Sequence, residues 1–277
     1  MLKTNTPQSI RERAYVFIRA KILSGEFAPG AALSEASIAR ELGNSRGPLR
    51  EAVRRLTAEG FLRPAPTGGS VVVDFSRRDV AELYELREAL EVYAAGKAAE
   101  RGLRPAELDT MQELVDAVLL LRDELKTSGE HHLGTVAMRR FIRIDLEFHN
   151  TLVRAAANSR ILKTVVDTRV LLNIFGIRRN GHNVQQLTQI HGYHNQILMA
   201  IGRKDPTEAM RLLGEHIRVS KEERLREHDD WEQEAALGQH PVDPDAASSV
   251  SPAGIPARAD GSKGARPAMA RRGLPRL

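Results

Sequence analysis

From Arg77 to about residue 228 the apolar side chains recur at three- and four-residue intervals, and the pattern is broken only at turn-forming positions. The breaks fall at Gly102 to Pro105, Ser128-Gly129, Asn158-Ser159, Asn180-Gly181 and Asp205-Pro206. This spacing predicts six helices, over about 77–101, 105–127, 136–156, 159–179, 184–203 and 206–228. No strand signal and no internal repeat interrupts them. A stretch of that kind buries its apolar stripes by packing helix on helix, so this part of the chain is expected to be an all-α bundle.

The residues before Arg77 read differently. Residues 8–24 place Ile10, Ala14, Phe17, Ile18 and Ile22 at helical spacing, and Gly25 and Pro29-Gly30 then form a turn. Ser34 is placed to cap a short helix that stops at Gly43. Ser45 is placed to cap a second helix, from Arg46 to Glu59, with Leu49, Val53 and Leu56 on one face. Pro48 lies in its first turn, where a missing N–H costs little. Phe61-Leu62-Arg63 and Val71-Val72-Val73 flank a turn rich in Pro and Gly, which reads as a hairpin. Three helices and a hairpin make a winged helix-turn-helix. The expected fold is therefore mainly α: a winged helix-turn-helix domain over 7–74 and an all-α domain over 77–230. Residues 238–277, rich in Ala, Pro, Gly, Ser and Arg, are expected to be a disordered tail.

Composition narrows the chemistry. Cys is absent, which excludes disulfides, thiolate metal sites and a Cys nucleophile. No apolar run approaches the ~18 residues of a membrane span, and no secretory leader is recognisable. A soluble cytoplasmic protein is expected. Charge is uneven. Residues 1–74 carry 11 basic and 7 acidic side chains, whereas residues 75–237 carry 24 and 26. The excess at the front suits an anionic partner.

Within that basic segment, Arg46 and Arg50 are four apart and project from one face near a helix N-terminus, the end that enters the major groove in helix-turn-helix proteins. A guanidinium can donate two hydrogen bonds to guanine. Ser45 and the free N–H groups beside it suit a phosphate, and Gly68 and Gly69 would let the wing backbone approach DNA closely. The bland alternative pairs Arg46 with Glu51 or leaves it in water. The segment Ser24–Val73 resembles the DNA-binding domain of the GntR family of bacterial transcription regulators. The resemblance lies in Gly25…Pro29-Gly30, Leu33-Ser34-Glu35, Leu42-Gly43-x-Ser45-Arg46, Pro48-Leu49-Arg50-Glu51, Leu56…Glu59-Gly60 and Gly68-Gly69. Asn44 and Ala36 depart from the family pattern, so base preference is expected to lean on Arg46 and Arg50.

The helical part holds a second constellation. Asp145 and His149 share one helical face, His194 lies on a later helix and His216 on the last, each among apolar residues at core spacing. One carboxylate and three imidazoles suit a divalent ion such as Zn, Ni, Mn or Fe. The alternative is ordinary core histidines held by hydrogen bonds. The strings around these residues are similar to the FCD domain of the FadR subfamily, and the resemblance implies that Asp145, His149, His194 and His216 coordinate a metal. It also implies a homodimer that reads an inverted repeat of operator DNA and binds a small organic acid or sugar acid. Arg87 matches a motif on the first helix of that domain. It is assigned either to the carboxylate of such an effector or to an ion pair with Glu88 or Glu91. The expected function is thus a regulator of transcription, a repressor on the family's common pattern, and not an enzyme. The alternatives are a sensor in which the ion is the signal, or a metal-dependent hydrolase, for which Glu147 is the nearest acid in sequence but points away from the Asp145–His149 face.

Overall fold

The computed structural model describes residues 9–43, 46–66, 68–176 and 181–237. The head opens with α1 (Ile10–Leu23), capped by Ser9, whose hydroxyl accepts from the Glu12 N–H. Strand β1 (Ala32–Leu33) follows, then α2 (Glu35–Glu41), capped by Ser34, and α3 (Arg46–Ala58). Strands β2 (Leu62–Pro64) and β3 (Ser70–Val72) form the expected hairpin, with Arg63 opposite Val71. The sequence does not announce β1. Two residues carry no periodicity, and β1 exists only because β3 offers it a free edge, which makes a three-stranded sheet in the order β1-β3-β2. Ile18, Ile22, Leu49, Leu56, Leu62 and Val72 close the core of the head.

The helical domain contains α4 (Arg77–Arg101), α5 (Pro105–Ser128), α6 (Thr135–Ala155), α7 (Ser159–Gly176), α8 (Val184–Gly202) and α9 (Pro206–Ala236). The starts are chemically marked. Ser76 and Asp79 form a reciprocal capping box on α4, and Asn183 and Gln186 form one on α8. Gly129 ends α5 in the left-handed conformation, φ 74°. The main departure from expectation is α9, which runs to Ala236 rather than to 228.

α9 packs along α4, and α5 against α6 and α8. One core joins Val80, Ala94, Phe148, Leu152, Ile197, Leu213 and Ile217, and a second, smaller one joins Val118, Leu121, Phe141 and Leu187. The small residues Ala94, Ala95, Ala98 and Ala99, all fully buried, let α4 run through the middle of the domain. That central path carries Arg87 and Glu91 into the interior. Among the described residues no helix is long and apolar enough to cross a membrane. The tail from residue 238 onward, Asn44 and Ser45 lie outside the described residues.

Candidate functional site

On the head, α3 buries Leu49, Val53 and Leu56 against α1 and turns its opposite face outward. Arg50 is on that outer face. Its side chain is 63% exposed, and its Nε lies 3.7 Å from Glu35. Leu33, Ser34, Glu35, Ala36, Arg50 and Gly69 line one open hollow of about 410 Å³, so the start of α2, the outer face of α3 and the wing converge. Gly68 and Gly69 both have positive φ, 87° and 85°, with open space where a Cβ would stand. Arg46 is the first residue of α3. Glu51, its alternative partner, is paired with Arg54 at 3.2 Å.

The second constellation is interior. Asp145 and His149 come from α6, His194 from α8 and His216 from α9, and one ligand atom from each lies within 4.8 Å of all the others. Asp145 Oδ1 is 3.7 Å from His149 Nε2 and 3.6 Å from His194 Nε2. The separation compares with the ~4.2 Å between opposite ligands around an ion with bonds of about 2.1 Å. His149 and His194 have no solvent exposure, and His149 Nε2 and both ring nitrogens of His194 lack a hydrogen-bond partner. Buried polar atoms are normally satisfied. Orphaned nitrogens facing a carboxylate therefore fit a divalent cation. His194 is held in place by stacking on Phe148, with centroids 4.0 Å apart.

Two charged residues that the sequence did not place at this site complete the cluster. Glu91, on α4, is fully buried and its Oε2 lies 2.6 Å from His149 Nδ1. Arg169, on α7, donates from Nη1 to both Glu91 oxygens at 3.2 Å and from Nη2 to Asp145 Oδ2 at 2.5 Å. Arg87 donates from Nε to Glu91 Oε1 at 2.8 Å and lies over the Tyr84 ring. Its ion pair is thus with Glu91, while Glu88 pairs with Arg218. The only sequence hint of Arg169 is its place on a helix beside Val165, Val166, Val170, Leu171 and Leu172. Glu91 was visible only as one of two partners for Arg87.

The electrostatics follow from burial and these pairings. Burial acts most strongly on Asp145 and works to raise its pKa, but the Arg169 charge beside it holds the carboxyl well below the usual range. Glu91 is likewise pulled up by burial and held well down by Arg169 and Arg87. Burial and the Arg169 charge bring His149 down to about 4 despite Glu91 and Asp145. Burial and His149 bring His216 down to about 3, and burial and His216 depress His194. At neutral pH the site is therefore two carboxylates, two guanidiniums and three neutral imidazoles, the protonation states that metal ligands need.

Two small chambers of about 60 and 50 Å³ adjoin the cluster, and Tyr84, Arg87, Phe141, Asp145 and Arg224 border both. Arg169 borders the first; His182, His216, Ser220 and Glu223 border the second. Glu147, the nearest acid in sequence, is paired with Arg154 at 2.8 Å.

A winged helix-turn-helix joined to a helical domain that encloses a polar cluster defines a DNA-binding regulator with a separate interior site. Comparison with known proteins identifies it further. Residues 10–72 match the bacterial regulatory proteins of the gntR family, and residues 82–219 match the FCD domain. The chain belongs to the GntR family and is an FCD-containing transcriptional regulator. An uncharacterised HTH-type transcriptional regulator in an unstable DNA locus of Streptomyces ambofaciens is 32% identical over 232 residues, 82% of this chain and 91% of that protein. The Nta operon transcriptional regulator of Aminobacter aminovorans is 36% identical over 52% of this chain and 62% of its own length. The gluconate operon transcriptional repressor of Bacillus subtilis (strain 168) is 28% identical over 68% and 74%. All three are named as regulators of transcription. The solved E. coli McbR/YncC structure shares the fold, with a TM-score of 0.64 at 21% identity over 79% of this chain and 98% of that one.

Proposed function

We propose that this regulator binds operator DNA as a homodimer through the Arg46 and Arg50 face of α3, and that a small organic acid or sugar acid held at a divalent metal in the FCD domain sets its DNA affinity. The observation that supports this reading best is the convergence of Asp145, His149, His194 and His216 with unsatisfied ring nitrogens among them. Asp145 and the three imidazoles would hold the cation. When bound, the ion would supply a Lewis-acidic site for a carboxylate. The chain's own residues do the rest. Glu91 accepts from His149 Nδ1 and so leaves the lone pair of Nε2 free to face the site. Arg87, exposed to both chambers, is placed to take a second carboxylate oxygen. Phe148 and the neighbouring apolar core keep water from the far side of His194.

Two recognition helices on a two-fold axis would read an inverted repeat in successive major grooves, with Ser45 and the wing glycines Gly68 and Gly69 on the backbone. The repressor name of the Bacillus subtilis relative supports the sense of the regulation. The test is to load the purified chain with Zn²⁺ or Ni²⁺, count the bound metal, and screen organic and sugar acids by thermal shift. Operator binding is then measured with metal alone and with metal plus acid. Metal-dependent stabilisation by an acid that also changes DNA affinity supports the reading. A response to metal alone would make the ion the signal. Absence of bound metal would refute the site.

A further inference from the structure

α7 has two faces that belong to different domains. Val165, Thr168, Arg169 and Leu172 are buried, and Val165 and Leu172 pack in the core of the helical domain. Val170 is buried in the core of the DNA-binding head instead, and Val166 and Leu171 pack against that core. Leu171 reaches Gly60, where a Cβ would stand 3.5 Å from its Cδ1. Gly60 is the left-handed residue, φ 82°, that ends the recognition helix α3, and its N–H donates to the Thr57 carbonyl. The guanidinium that grips Asp145 and Glu91 is thus two residues from the side chain on which the C-terminal end of α3 rests.

We infer that Arg169 is a positioning residue that couples the interior polar cluster to the recognition helix through Leu171 and Gly60. The inference rests on the reading of the cluster as the effector site. Arg169 holds α7 by its bonds to Asp145 Oδ2 and to both Glu91 oxygens. A cation drawing on the Asp145 carboxylate weakens one of those bonds, and an anion entering beside it attracts the guanidinium away from the other two. Either event resets the seat of α7 against α6 and α4. The opposite face of α7 cannot absorb the change, because Val170 is locked in the head and packed cores shift between discrete arrangements rather than deforming smoothly. The covalent route is longer: from Arg77, where α4 begins, to Arg87 is ten residues, about 15 Å of helix. The contact route spans Arg169 to Leu171.

The test uses the full chain, with Zn²⁺ alone as the probe and amide hydrogen exchange of residues 56–63 as the readout. Zinc should change exchange in that segment at least twofold in the wild type. Leu171→Ala should bind zinc with unchanged stoichiometry and affinity while losing most of that change. Leu171→Val replaces it if the alanine variant does not fold. A metal-free arm uses Asp145→Asn, which removes one of the two carboxylate charges that Arg169 faces, leaving Glu91, with little change of shape. It should alter exchange over 56–63, and Leu171→Ala in the same chain should suppress the effect. Zinc bound with no change at 56–63, a full response in Leu171→Ala, or no effect of Asp145→Asn would each overturn the coupling. Failure of zinc to bind would count against the metal reading instead, and the Asp145→Asn arm then decides the coupling by itself.

Discussion

His149 Nδ1 lies 2.6 Å from Glu91 Oε2, and neither side chain has solvent exposure. The carboxylate fixes the imidazole with its proton on Nδ1 and its lone pair on Nε2, toward Asp145 and His194. Glu91→Gln should keep the shape and weaken the acceptor. Metal affinity is expected to fall about 10–100-fold, as is typical when the partner of a metal-bound histidine is removed. Competition titration with a zinc chelator measures it, and an affinity within twofold of the wild type would show that Glu91 serves folding alone.

Metal should also stabilise the fold. At a free concentration of about 100 times Kd the gain is ~2.7 kcal/mol. In a domain of this size that is about 5–11 °C in Tm. Chelator should remove the increment, and His194→Ala should abolish it by deleting a ligand from α8. Melting curves with and without chelator decide the matter: a His194→Ala chain that still gains the increment would place the ion elsewhere.

Arg50→Ala should cost about 1–3 kcal/mol of specific DNA binding and relax base preference at one position of each half-site. Arg46→Ala is expected to act the same way. Arg54, paired with Glu51 and 76% exposed, is the control: its alanine variant should weaken binding to all sequences about equally. Selection of bound sequences from a random pool distinguishes the two outcomes. An unaltered consensus in Arg50→Ala would remove that residue from the reading face.

His182 is buried and its ring packs edge-on against Phe141, with centroids 4.6 Å apart. Burial lowers its pKa below the ordinary 6.5, against the opposing influence of Asp145 and Gln186. The unfolded chain therefore takes up the proton first as pH falls, and folding stability drops progressively once pH passes below 6.5. Melting temperatures of the metal-free protein between pH 8 and 5.5 should decline at the acid end. His182→Gln should shrink that decline, and a variant with an unchanged pH profile would contradict the assignment.

Much of the architecture was legible in the order of residues. The helices from Arg77 onward follow breaks that the chain marks itself, with Pro at Pro105 and Pro206 and Gly at Gly102 and Gly129. Asp145 and His149 were recognisable as a pair because four residues is one helical turn. Strand β1 was not legible, because its pairing comes from β3, about forty residues away. Arg169 was not legible either. Its partners Glu91 and Asp145 stand 78 and 24 residues away in sequence, beyond the reach of any local spacing rule.

Sequence alone determined which segments are helical, where most of them begin, and which side chains have the chemistry of candidate metal ligands. Those properties depend on backbone propensity, capping and periodicity, which act over a few residues. The tertiary structure decided which imidazole nitrogens lie buried without partners, which carboxylate orients which ring, and that a single helix serves both cores. Burial and distance are properties of packed helices. No local rule brings Glu91 against His149, or Leu171 against Gly60, before the helices are packed.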